Sequence, residues 1–176
     1  MRMTRLGTML VFSLFLIGTA SADRNVKQGS KVEVAPSSSF ATDNVTVAYI
    51  NRRPHLEYSL TNISSDVVPA LMVKLAAYDV KGNLRGRQTW ITRVSLPTGS
   101  KVNSILAVSL DLKSAANMTV EFVPVNPLQE GCDWRFCNEC SREARETCGT
   151  GKVQSVDCTV GSSCNCSYTC RAPILP

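Results

Sequence analysis

Cysteine is the residue whose number and spacing here most directly imply chemistry. Cys132, Cys137, Cys140, Cys148, Cys158, Cys164, Cys166 and Cys170 all lie in the last quarter of the chain, and the first 131 residues hold none. An even count in an exported chain reads as a disulfide framework. Two other chemistries use the same residues. Cys137-Asn-Glu-Cys140 has the spacing of a thiol–disulfide redox pair. Such pairs put the first cysteine at a helix N-terminus, where the dipole favours the thiolate. Here Cys137 falls about one turn in and no strand–helix–strand unit precedes it. Four thiolates in two close pairs would also suit a tetrahedral zinc. Exported thiols oxidise first, so no metal is expected.

Eight cysteines allow 105 pairings. Geometry narrows them. Two helical residues three apart and two strand residues two apart each span about 5–7 Å, so the pairs can face each other. The spacing therefore predicts Cys137 and Cys140 bonded to Cys164 and Cys166. This arrangement is similar to the cysteine-stabilised helix–strand motif of defensin-like peptides, where the helical spacing is four and not three.

Other catalytic groups do not assemble. His55 is the only histidine, on the polar face of a predicted strand after Arg52-Arg53-Pro54. No serine stands in a nucleophile-elbow sequence, and no phosphate-binding or dinucleotide fingerprint occurs. No enzymatic activity and no cofactor are expected. Arg85, Arg87 and Arg93 share one face of a predicted strand, and Arg52 and Arg53 are candidate neighbours. Such a patch would meet an anionic partner; the competing use is a solvated face that keeps a strand from aggregating. Four glycosylation sequons, at Asn44, Asn62, Asn117 and Asn165, matter only in a glycosylating host.

The compartment is legible at the N-terminus. Arg2 and Arg5 precede an apolar run at 9–17, and Ala20-Ser21-Ala22 supplies small residues for cleavage before Asp23. The run is shorter than the roughly 20 apolar residues a bilayer needs. Residues 1–22 therefore read as a signal peptide and the remaining 154 as exported, periplasmic or extracellular, and not membrane-spanning. Arg2 and Arg5 leave with the signal, which takes the formal charge from +5 to +3. Residues 131–176 balance five acids against five bases. So small a surplus is no nucleic-acid footprint.

The elements that must hold these residues follow in order. Residues 23–40 are a polar leader with one short edge strand at Lys31–Val34. Alternating β-formers then predict strands at Val45–Tyr49, His55–Thr61, Leu71–Tyr78, Arg87–Ser95, Val102–Leu110 and Met118–Val125. In the second of these Leu56, Tyr58 and Leu60 point one way, and His55, Glu57, Ser59 and Thr61 the other. Turns at 62–66, 79–83 and 96–100 separate the runs. Regular strands without strand–helix alternation predict an antiparallel sandwich over 41–126, with a barrel as the alternative. Residues 127–131 read as a linker and 171–176 as a tail.

Within 132–170 Asp133 is an N-cap candidate and Gly149 a C-cap candidate. Cys137, Cys140, Ala144 and Cys148 fall on one helical stripe. Cys164, Cys166, Tyr168 and Cys170 alternate along a strand, which pairs with 153–160 around Gly161-Ser162-Ser163. These cysteines staple a small disulfide-rich subdomain with one helix and a short hairpin.

Leu60-Thr-Asn-Ile-Ser64, Val73-Lys-Leu-Ala-Ala-Tyr-Asp79, Gly82 and Leu96-Pro-Thr-Gly99 follow one another in an order that resembles the FxLYD-type domains of bacterial exported proteins. The likeness covers about residues 56–110. The family's core motif is here Leu75-Ala-Ala-Tyr-Asp79, with the aromatic replaced and the third position small. It implies an immunoglobulin-like sandwich and an extracytoplasmic setting, and brings no catalytic residues. The chain as a whole thus reads as mainly β, a non-enzymatic module that binds a protein or cell-envelope component. The alternatives are an oxidoreductase using Cys137 and Cys140, and a defensin- or inhibitor-like effector.

Overall fold

A computed structural model describes residues 31–126, 133–149, 151–161 and 163–171. The signal-peptide reading, most of the leader, the linker and Cys132 lie outside them. Nine strands and one helix are described: β1 Lys31–Val34, β2 Phe40–Ile50, β3 Arg53–Asn62, β4 Val68–Tyr78, β5 Leu84–Leu96, β6 Lys101–Ala107, β7 Asn117–Val125, α1 Trp134–Cys148, β8 Val153–Thr159 and β9 Ser163–Cys170.

Strand alternation builds two facing sheets. The smaller has the order β2-β3-β6 and the larger β1-β7-β4-β5-β9-β8. Leu56, Tyr58 and Leu60 of β3 turn inward as their parity requires, and meet Leu71, Val73, Leu75 and Ala77 of β4, Trp90 of β5, and Met118, Val120 and Phe122 of β7. Tyr58 and Phe122 lie with ring centroids 5.1 Å apart, tilted by 56°. Each fully buried large side chain of this layer contributes about 1.5–3 kcal/mol of transfer free energy. The sandwich is therefore present. It is not wholly antiparallel, because β1 pairs with β7 in parallel from Lys31↔Asn117 to Val34↔Val120.

Turn chemistry fixes the registers. Asn51 and Arg52 both adopt positive φ, 50° and 65°, and close the β2–β3 hairpin. Asp79 accepts hydrogen bonds from the backbone N–H groups of Lys81 and Asn83, and Gly82 takes φ 78° in the β4–β5 turn. Those bonds, that from Asn83 first, hold the Asp79 carboxyl below its ordinary pKa. At the other end Asn62, only 1% exposed, donates to the Asp66 and Leu96 carbonyls, each at 2.8 Å. Its carbonyl oxygen accepts from the backbone N–H and the hydroxyl of Ser64. The second sequon thus belongs to a buried joint.

The cysteine-rich part does not stand apart from the sandwich. β9 pairs with β5 from Gly86↔Thr169 to Thr92↔Ser163, so one sheet runs through both regions. Gly86 permits this approach, since a Cβ there would sit 2.6 Å from the Tyr168 carbonyl oxygen. Gln88, with no exposed surface, secures the inner side. Its amide donates to Asn165 Oδ1 at 2.9 Å, and its carbonyl accepts from Ser109 N–H at 2.7 Å.

The outer face of the larger sheet carries α1. Asp133 caps the helix by accepting from Arg135 N–H at 2.7 Å, and Gly149 ends it at φ 83°. Cys140 and Ala144 are buried beneath it against Cys166, Tyr168 and Cys170, with Cys137 and Cys148 half-buried on the same stripe. Phe136 also reaches a second patch of Ala70, Ile91, Val125 and Cys164.

Candidate functional site

Three disulfides join the helix to the strands: Cys137–Cys158, Cys140–Cys166 and Cys148–Cys170, with Cα separations of 5.6, 6.0 and 5.3 Å. Cys164 is disulfide-bonded as well. Of the expected set, Cys137 and Cys140 against Cys164 and Cys166, one bond of that kind is present, Cys140–Cys166; the expectation for Cys137 is corrected, because it bonds Cys158. Cys158 and Cys166 are directly opposed across the β8–β9 ladder. The helical pair therefore bridges two neighbouring strands instead of running along one. Cys140 and Cys148 are eight residues apart, a rise of about 12 Å, and Cys166 and Cys170 four apart, about 13 Å. That match lets the helix lie along β9 and be bonded to it twice. The thiols that a Cys137–Cys140 redox pair or a zinc site would use are bonded to two different strands.

The five arginines do not form one patch. Arg53 follows the outward parity of β3, on the outer face of the smaller sheet, with Arg52 in the hairpin before it. Arg87 and Arg93 point from the outer face of the larger sheet, on the opposite side of the sandwich. Arg87 is half-buried beside α1, where its guanidinium donates to Glu143 Oε1. Arg85 occupies the bulge between the Ala77↔Gly86 and Tyr78↔Leu84 pairs, near Asp79. His55 lies on the outer face of β3 as its parity predicts, its Nδ1 hydrogen-bonded to the Arg53 carbonyl at 2.9 Å.

A different place gathers unspent polar groups. The outer face of the smaller sheet holds a groove of about 490 Å³ lined by Asn44, Glu57, Tyr58, Ser59, Asn103, Ser104 and Ile105. Three strands build it through their register: Glu57 opposes Ile105, and Ser59 opposes both Asn103 and Asn44. The β2 bulge between Thr42 and Asn44 sits at its margin. Glu57 Oε1 and Ser59 Oγ are buried there without a hydrogen-bond partner, and Ser59 is only 8% exposed. Buried polar atoms are almost always paired, and leaving one unpaired costs about 1–3 kcal/mol. Two such atoms lie together on the floor of this groove.

No protein-family model, curated protein or solved structure matches this chain. The groove thus rests on its own geometry. Sequence reasoning places Glu57 and Ser59 on the polar face of β3 but does not single them out. Nothing local to β3 signals that neighbouring strands would cover them.

Proposed function

We propose that this is an exported, non-enzymatic binding module that recognises a protein or cell-envelope component through the outer face of its three-stranded sheet. The observation that carries the reading is the pair of buried, unpartnered acceptors, Glu57 Oε1 and Ser59 Oγ, on the floor of an open groove. Export is supported by three disulfides among the described residues, since such bonds persist in oxidising compartments. Among those residues no helix is long and apolar enough to cross a membrane. The immunoglobulin-like character implied by the FxLYD resemblance is compatible with two packed sheets and suits a binding role.

The test is retention on the envelope fraction of the producing cell. Asn103 is exposed at the groove's margin, so Asn103→Trp fills the groove without touching the core. The wild-type protein should be retained and the Asn103→Trp protein lost from the fraction, with both unfolding at the same temperature. Equal retention of the two would show that this face is not the binding face.

A further inference from the structure

The groove also states what its ligand must bring. Of its seven lining residues, Glu57 alone carries a carboxyl group, and none is basic. A carboxylate oxygen buried without a donor calls for N–H or O–H groups from outside. The side-chain carbonyls of Asn44 and Asn103 and the hydroxyl of Ser59 add acceptors around it. Lys101, the basic residue of β6, is held by Asp43 at 2.6 Å. An anionic ligand would meet Glu57's repulsion with no basic residue in the lining to offset it. A neutral sugar would find no exposed ring to stack on, because Tyr58 faces the core.

The opposite wall is apolar. Ile105 is 50% exposed and directly opposes Glu57 in the β3–β6 register. Side chains so opposed have Cβ atoms about 4.5–5.5 Å apart, so a carboxylate and a hydrocarbon shoulder border one narrow space. Arginine and lysine match that pair. Each lays an aliphatic stem on apolar surface and ends in a cation that donates hydrogen bonds and accepts none. A charge-assisted bond to a carboxylate is about twice as strong as a neutral one.

We infer that the groove receives the guanidinium or ammonium end of a basic side chain from a partner protein, with Glu57 as its counter-ion and Ile105 against its stem. This rests on the binding role proposed above and names the chemistry of what is bound.

The test uses the whole protein, isotope-labelled, with amide chemical shifts read during titration. N-acetyl-arginine methylamide should move the signals of Glu57, Ser59 and Asn103. The neutral isostere N-acetyl-citrulline methylamide should leave them in place. Glu57→Gln should weaken binding about tenfold or more, the loss of one charged hydrogen bond. Ile105→Ser, on an exposed position, should weaken it less. An equal response to the citrulline compound, or unchanged affinity in Glu57→Gln, overturns the inference. Tighter binding of a free polyamine than of an arginine-bearing peptide overturns the partner-protein source. If envelope retention depends on Asn103 while the arginine compound moves nothing, the cation is wrong and the binding face stands. If retention ignores Asn103→Trp, the face itself is wrong.

Discussion

Tyr168 shows at the residue scale how one side chain joins the two halves of the chain. It is 1% exposed beneath α1, and its hydroxyl donates to Glu143 Oε1 at 3.3 Å, the atom that also accepts from Arg87. Burial raises its pKa, and the Glu143 carboxylate adds to the rise against the lowering from Thr147 and Arg87. A group whose folded pKa lies above its unfolded value of about 10 contributes fully below that pH. The contribution is lost as pH rises through the folded pKa. Urea midpoints should therefore hold steady up to about pH 10 and fall beyond it. Tyr168→Phe should fall less steeply, with the remainder due to Tyr49 and Tyr58, whose pKa values are also raised by burial. Identical alkaline slopes for the two proteins would show that the Tyr168 hydroxyl is indifferent to its surroundings.

Among the elements, α1 is held by bonds more than by a core. Of the large apolar groups in its region, Trp134 is 66% exposed, and Val156 and Val160 are also open to solvent. What remains beneath the helix is Ala144, Tyr168 and the cysteines themselves, with Phe136, Leu84 and Val153 partly buried against them. A native disulfide in so small a unit contributes about 2–4 kcal/mol. Cys140→Ala with Cys166→Ala should cost about that much and remove most hydrogen-exchange protection from α1. The β5–β9 ladder should stay protected, because its amides bond to a neighbouring strand and not to the helix. A helix as protected as in the wild type would show the central bond to be dispensable.

The same elements mark what is legible in the sequence. Local signals suffice for strand faces and the cysteine stripe, which depend on a repeat of 2 or 3.6 residues, and for the Asp133 and Gly149 caps, which depend on one residue's own chemistry. Cys158 is not legible as a partner, because its position opposite Cys166 arises only when β8 and β9 pair. The parallel β1–β7 contact and the covered floor at Glu57 are hidden for the same reason. Each depends on residues distant in sequence, about which a single strand's pattern is silent.

For the molecule as a whole, the decisive contact is β9 against β5. The absence of cysteine before position 132 implies a sandwich sufficient in itself. The structure shows that its larger sheet is completed by the cysteine-rich region. A protein ending at Asn126 would leave the thirteen-residue β5 as an unpaired edge and uncover Ile91, now 1% exposed. It would also leave Gln88 without Asn165. Long bare edges invite association with other chains. The truncated protein should therefore unfold at a lower temperature than the full chain and form oligomers at micromolar concentration, as sedimentation would detect. A monomer of unchanged midpoint would restore the picture of two independent parts.

That pairing also governs the order of events when the chain folds. Gly86 meets Thr169 and Thr92 meets Ser163, contacts far apart in sequence that carry a large loop-closure entropy. The β4–β5 hairpin is local and can form early, yet its open side must wait until β9 arrives. β9 then takes an interior place in the sheet, with β8 beyond it. Cys158 comes opposite Cys166 through the β8–β9 ladder itself, so the three bonds depend on that hairpin and the helix and not on the docking to β5. Capture of that late strand is therefore the expected slow step of maturation, and the three disulfides then fasten α1 to β8 and β9 without crossing to β5.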